Sequence, residues 1–193
     1  MLQEGAVSRL PIMNAKVITV FGSSRPKESD GDYQEARQLG YELGRAGFAV
    51  CSGGYDGVME AASRGAKEAG GATIGVTAEF FERTANSWID TEIRMTSWQE
   101  RLFELVRRAD GFVACKGGTG TLAELAVVWE MLNKAVIAGK PMVVLGDFWT
   151  PILDRVREVE LDHPGPWGEA NGKLVHTAAT PAEAADFLRK NLV

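Results

Sequence analysis

The stretch from Ala109 to Glu124 decides the fold: Ala-Asp-Gly-Phe-Val-Ala-Cys-Lys-Gly-Gly-Thr-Gly-Thr-Leu-Ala-Glu. Gly111 to Cys115 is a short apolar run that ends in the turn Gly117-Gly118-Thr119-Gly120-Thr121. Leu122, Leu125, Ala126, Trp129 and Leu132 then recur at helical spacing. The order is strand, glycine-rich turn, helix. Glycines let a backbone come close to a ligand. A helix start points unpaired N–H groups and a partial positive charge at the same place. The pattern predicts an anion site, with phosphate as the commonest occupant. A bare strand-to-helix turn is the alternative, yet three glycines and two threonines in five residues exceed what a turn needs. The run is not a Walker A loop, because no Gly-Lys-Ser/Thr ends it, and no third glycine completes Gly-x-Gly-x-x-Gly.

Working outward, the same unit recurs. Lys16 to Phe21 predicts a first strand, rich in β-branched residues, that runs into Gly22-Ser23-Ser24-Arg25-Pro26. Ser23 and Ser24 either donate to an anion or ribose there or form a polar turn. Asp30 to Ala46 reads as a helix, ended by Gly47. Phe48 to Cys51 is a second strand, followed by Ser52-Gly53-Gly54-Tyr55-Asp56-Gly57 and a helix that opens at Val58-Met59 and runs to about Ala69. Thr73 to Thr77 is a third strand. Phe80 and Phe81 suggest a short helix, and Trp88 to Arg94 a further strand. Ser97 is the expected N-cap of a helix from Trp98 to Ala109. Arg101 falls at the border of its apolar stripe. Glu100, Glu104, Arg107 and Arg108 are expected to be solvated, with Glu104 and Arg108 an i,i+4 pair.

The central helix is expected to reach about Ala138, stopped by Gly139 and Pro141. Then come a strand from Pro141 to Gly146, a helix from Phe148 to Glu160, a loop from His163 to Asn171 and a strand from Lys173 to Thr177. Thr180-Pro181 opens a last helix to Asn191. Apolar strands alternating with helices predict an α/β fold: a three-layer αβα, doubly wound, mostly parallel sheet of Rossmann-like type. Loops at the carboxyl ends of such strands meet at the switch point, so the three glycine-rich loops are expected to line one cleft. With the Phe21 strand between the other two, Cys51 and Cys115 stand about 9–10 Å apart, too far for a disulfide.

A length of 193 residues suits a single domain spanning the chain, with Met1 to Ala15 as an N-terminal arm. A net charge of −5 argues against nucleic acid as the main partner. The apolar runs are far too short to span a bilayer, and no signal-type segment opens the chain. A cytoplasmic protein without membrane association is expected. Two cysteines without a CxxC pair and two histidines give a metal little to bind.

Three segments in order resemble the LOG family of nucleoside 5′-monophosphate phosphoribohydrolases, long mislabelled as lysine decarboxylases. Val20-Phe21-Gly22-Ser23-Ser24 is similar to the family's first-strand loop. Ser52 to Met59 is similar to its Gly-Gly-Gly-x-x-Gly-Leu-Met segment, and Gly117 to Glu124 to its Pro-Gly-Gly-x-Gly-Thr-x-x-Glu signature. The resemblance implies a homodimer that hydrolyses the N-glycosidic bond of a nucleotide and needs no cofactor. It implies Arg101 and Glu124 as catalytic residues. It also implies a substrate and phosphate site from Gly22, Ser23, Gly53, Gly54, Gly57, Met59, Gly117, Gly118, Thr119, Gly120 and Thr121. Lys116 departs from the signature, standing where it has proline, and is expected from its charge to add an anion contact to that site; Leu102 stands where a lysine is usual. Molybdenum cofactor carriers of the same fold are the alternative within the resemblance. No lysine has the motif context of a pyridoxal phosphate Schiff base.

Overall fold

The computed structural model describes residues 15–137, 139–161 and 172–192. Seven strands form one sheet: β1 Val17–Phe21, β2 Ala49–Ser52, β3 Thr73–Ala78, β4 Thr91–Met95, β5 Gly111–Ala114, β6 Met142–Leu145 and β7 Val175–Ala178. Six helices are described: α1 Gly31–Arg45, α2 Val58–Glu68, α3 Trp98–Arg108, α4 Thr119–Asn133, α5 Thr150–Leu161 and α6 Pro181–Asn191. The sheet order is β4-β3-β2-β1-β5-β6-β7, and every neighbouring pair is parallel. The expected doubly wound, Rossmann-like α/β fold is therefore the one that forms, with a wholly parallel sheet.

Period-two alternation divides the strand side chains between two cores. Ile18, Val20, Val50 and Val143 pack with α1, α2 and α6. Phe21, Ile74, Val76, Phe112 and Val144 pack with α3, α4 and α5. In α4 the residues Leu125, Val128, Trp129 and Leu132 form the buried stripe. Each full burial of such a side chain contributes about 1.5–3 kcal/mol. The chain winds outward one way from β1 and the other way from β5, so the order reverses between these two strands. Their register, Phe21 opposite Ala114, sets the loop after β1 beside the turn after β5.

Several expectations need correction. The central helix stops at Asn133, not near Ala138, which lies outside the described residues. Ala135 takes φ 55°, Val136 N–H donates to Met131 C=O at 2.8 Å, and Ala135 N–H donates to Leu132 C=O at 3.0 Å. This is the paired Schellman pattern, with alanine where glycine is usual. The fourth strand starts at Thr91 rather than Trp88. Thr73 accounts for the delay: its hydroxyl donates to Trp88 C=O and accepts from Asp90 N–H. Glu104 is not solvated. It is buried, paired with both Arg107 and Arg108. Burial opposes its charge, but the hydrogen bonds from the two arginines outweigh this and hold its carboxyl below the usual range.

Ser97 and Thr180 cap α3 and α6 as expected, each accepting from the N–H three residues on. Both cysteines are buried free thiols, on β2 and just past β5, with β1 between those strands. Met1 to Asn14 of the expected arm, and the expected loop from His163 to Asn171, lie outside the described residues. Among the described residues, no helix is long and apolar enough to cross a membrane.

Candidate functional site

The order reversal between β1 and β5 opens a cleft at the carboxyl ends of the strands, as it does in doubly wound sheets. Its cavity is about 820 Å³, within the range of small-molecule sites. Ser23 ties the loops together. Its N–H donates to Lys116 C=O at 3.3 Å, and its C=O accepts from Val58 N–H at 2.9 Å. One residue thus links the loop after β1 to the turn after β5 and to the start of α2.

Of the sequence-derived candidates, Gly22, Ser23, Met59, Arg101, Glu124 and the run from Lys116 to Thr121 line this cavity. The three glycines of the β2 loop do not. Gly57 has φ 67°, and a Cβ there would fall 2.4 Å from the Ser23 carbonyl oxygen, so it permits the approach of the β1 loop. Gly53 lies behind Arg101. Gly54 also has a positive φ and accepts from Asn86 N–H through its carbonyl.

The turn after β5 delivers the start of α4 to the cavity. No side chain caps this helix at Gly118, and its first hydrogen bond runs from Leu122 N–H to Gly118 C=O at 2.9 Å. The N–H groups of Thr119, Gly120 and Thr121 therefore precede the first intrahelical bond, at the positive end of the helix dipole. Lys116 adds a cation, engaged with Asp32 of α1 at 3.0 Å. Trp149 Nε1 donates to Cys115 C=O at 3.0 Å and fixes the strand end just before Lys116.

Deeper in the cavity stand Arg101 and Glu124, Nη1 to Oε1 3.9 Å apart. Their side chains are 8% and 15% exposed, so this charge pair lies largely out of water. Burial pushes the Glu124 carboxyl up to about 7, against the opposing pull of Arg101. Burial also lowers the pKa of Arg101, which Glu124 in turn supports. Arg101 Nε donates to the Val76 carbonyl at 2.7 Å. A carboxyl poised near neutrality beside a fixed cation is suited to proton transfer or to stabilising positive charge.

Tyr55, Phe81, Trp98 and Phe148 also line the cavity and were not read as site residues. Tyr55 sits inside the glycine-rich run, where an aromatic is a visible signal. Phe81 follows a strand at its carboxyl end, the edge where sites form. Among the described residues, no cluster of His, Cys, Asp or Glu suits a metal.

This cleft, with its glycine-rich loops around an open helix start, defines a Rossmann-like fold of the LOG/SLOG class. Residues 15–162 match the SLOG cluster4 family, and the chain belongs to that family. It is 29% identical to an uncharacterized protein of Archaeoglobus fulgidus over 133 residues, covering 69% of this chain and 85% of that one. It is 33% identical to the cytokinin riboside 5′-monophosphate phosphoribohydrolase LOG of Oryza sativa over 146 residues, covering 72% of this chain and 58% of the rice protein. The chain thus spans less than two thirds of that relative's length. Among solved structures, the molybdenum cofactor binding protein from Rippkaea orientalis matches with a TM-score of 0.73 and 26% identity, over 94% of this chain and 99% of that one. The Moco carrier protein from Chlamydomonas reinhardtii matches with a TM-score of 0.70 and 27% identity, over 93% and 98%.

Proposed function

We propose that this protein is a nucleoside 5′-monophosphate phosphoribohydrolase that acts on AMP or an N6-modified AMP. The observation that carries the reading is the largely buried Arg101–Glu124 pair in the same cavity as the open start of α4. The N–H groups of Thr119 to Thr121 bind the 5′-phosphate, as helix starts bind anions. That contact fixes the ribose. The C1′–N bond breaks, its electron pair leaves with the base, which takes up a proton from solvent, and water adds its oxygen to C1′. Positive charge develops on the ribose as the bond opens, as in glycoside hydrolysis. Ionised Glu124 stabilises that charge and takes the proton of the attacking water. Arg101 holds Glu124 in place and steadies its charged form. Free base and ribose 5-phosphate result.

Glu124→Gln tests this directly. It removes the ionisable group and keeps the shape. The expected result is loss of turnover with AMP still bound, read by calorimetry beside a turnover assay. Full activity in pure Glu124→Gln protein excludes the role given to Glu124.

A carrier of a nucleotide or phosphorylated pterin is the second reading. It is favoured by likeness over almost the whole length to the cofactor-binding and carrier structures, whose chains are covered to 99% and 98%. A carrier releases no base and retains a small molecule through purification.

The homodimer belongs to the same proposal. Phe103 of α3 and Ile152, Val156 and Val159 of α5 are exposed apolar side chains. The α5 residues recur at four and three residues, a single helical stripe. α4 carries only Glu124, Glu130 and Asn133 among its larger polar residues, and Ala126 on it is exposed. A helix so apolar is normally covered on most sides.

A further inference from the structure

Arg101 is held in an aromatic cage. Its guanidinium carbon lies 5.6 Å from the centre of the Tyr55 ring and 5.8 Å from that of Phe81. The two rings meet edge to face, 5.5 Å apart and inclined at 79°. Tyr55 is fixed by its own hydroxyl, which accepts from Ala78 N–H at 2.9 Å and donates to Ala78 C=O at 3.1 Å. Both bonds grip the last residue of β3, directly before the short 3-10 turn Glu79–Phe81 that carries the second ring. Gly53 keeps space open on another side, since a Cβ there would fall 1.7 Å from Arg101 Nη2.

Among the described residues, only one nitrogen of this guanidinium has a short hydrogen bond to oxygen, Nε to Val76 C=O. Nη2 has the Met59 sulfur at 3.9 Å, and Nη1 has Glu124 at 3.9 Å. Aromatic faces attract a cation without accepting its N–H groups in conventional hydrogen bonds. The cage can therefore hold Arg101 and leave its fork free for Glu124 and a ligand. A carboxylate at position 55 would hold the cation too, but would consume that fork and neutralise it.

We propose that Tyr55, with Phe81 as a second wall, is a positioning residue that aims the Arg101 fork at Glu124 and the cavity. The proposal rests on Arg101 and Glu124 being the working pair. A second cation, Arg83, approaches the same ring at 5.5 Å, but it is ion-paired with Asp56. Arg101 is therefore the cation whose placement the cage decides.

The test reads Glu124 itself, by the carboxyl-carbon NMR titration of the ligand-free protein. The resonance is assigned by its loss in Glu124→Gln. Tyr55→Phe keeps the ring but loses its anchor on Ala78, and is expected to shift the Glu124 midpoint less than Tyr55→Leu does. Tyr55→Leu removes the ring and lets Arg101 move away. The Glu124 midpoint is then expected to rise by about one pH unit, since a retreating cation favours the neutral acid. Phe81→Ala, at a partly exposed position, is expected to shift it in the same direction. Wild-type midpoints in folded Tyr55→Leu and Phe81→Ala overturn the assignment. Should Tyr55→Leu not fold, Phe81→Ala alone decides. No substrate enters the measurement, so failure to release a base leaves its outcome readable.

Discussion

At the scale of single residues, Glu124 ties stability to pH. Its carboxyl has an ordinary value of 4.5 and is raised to about 7 by burial. Below 4.5 it is protonated in folded and unfolded chains alike and costs nothing. Between 4.5 and about 7 the unfolded chain gives up the proton first, so stability falls. Above 7 the penalty is complete, roughly 3 kcal/mol at 1.36 kcal/mol per unit. Glu124→Gln carries no such penalty. Wild type is expected to lose that amount relative to the variant as pH rises from about 4.5 to about 8, as read by urea denaturation. Parallel pH–stability curves would contradict the burial argument. Glu124 was readable from the glycine-rich motif before it, and Arg101 only through the family resemblance, since its own helix reads as an ordinary charged face. Tyr55 and Phe81 were not. Their role depends on which strand end meets which loop, and that is set by the placement of β2 beside β3 rather than by any local spacing.

At the scale of elements, the start of α4 was legible and its end was not. Three glycines announce the turn at Gly117 to Gly120, whereas the stop at Asn133 uses Ala135 with φ 55°. A left-handed residue with a Cβ costs about 1–2 kcal/mol, and nothing in an alanine signals that position. Ala135 is exposed, so glycine disturbs no packing there. Ala135→Gly is expected to stabilise the protein by about 1 kcal/mol, after the entropy that glycine gives the unfolded chain is deducted. An unchanged or lower unfolding midpoint would show that the helix end is not strained. Glu104 was misread for a related reason. Spacing made it an ordinary i,i+4 partner, while packing against the sheet buries it beneath two arginines.

The whole molecule shows what alternation of strands and helices decides and what it leaves open. Six of the seven parallel strands, with the reversal between β1 and β5, follow from apolar strands joined by helical crossovers, whereas β4 is largely exposed and is reached from β3 through only a short 3-10 turn. The cleft at the reversal follows from the same topology. A partner for the exposed apolar residues of α3 and α5 does not follow from it, because the pattern of one chain encodes burial and not assembly. Sedimentation velocity is expected to give a dimer. Charging the α5 stripe with Ile152→Glu and Val156→Glu is expected to shift it toward monomer while the fold is kept. A wild-type monomer at tens of micromolar or more would remove the homodimer from the account.

The most direct measurement is chromatography of the purified protein after incubation with AMP and with an N6-prenylated AMP. Free base and ribose 5-phosphate are expected in equal amounts from at least one of them, and neither product from Glu124→Gln. Folded wild-type protein that releases no base from either nucleotide would contradict the hydrolase, and would leave the carrier reading to be tested by mass spectrometry of what co-purifies.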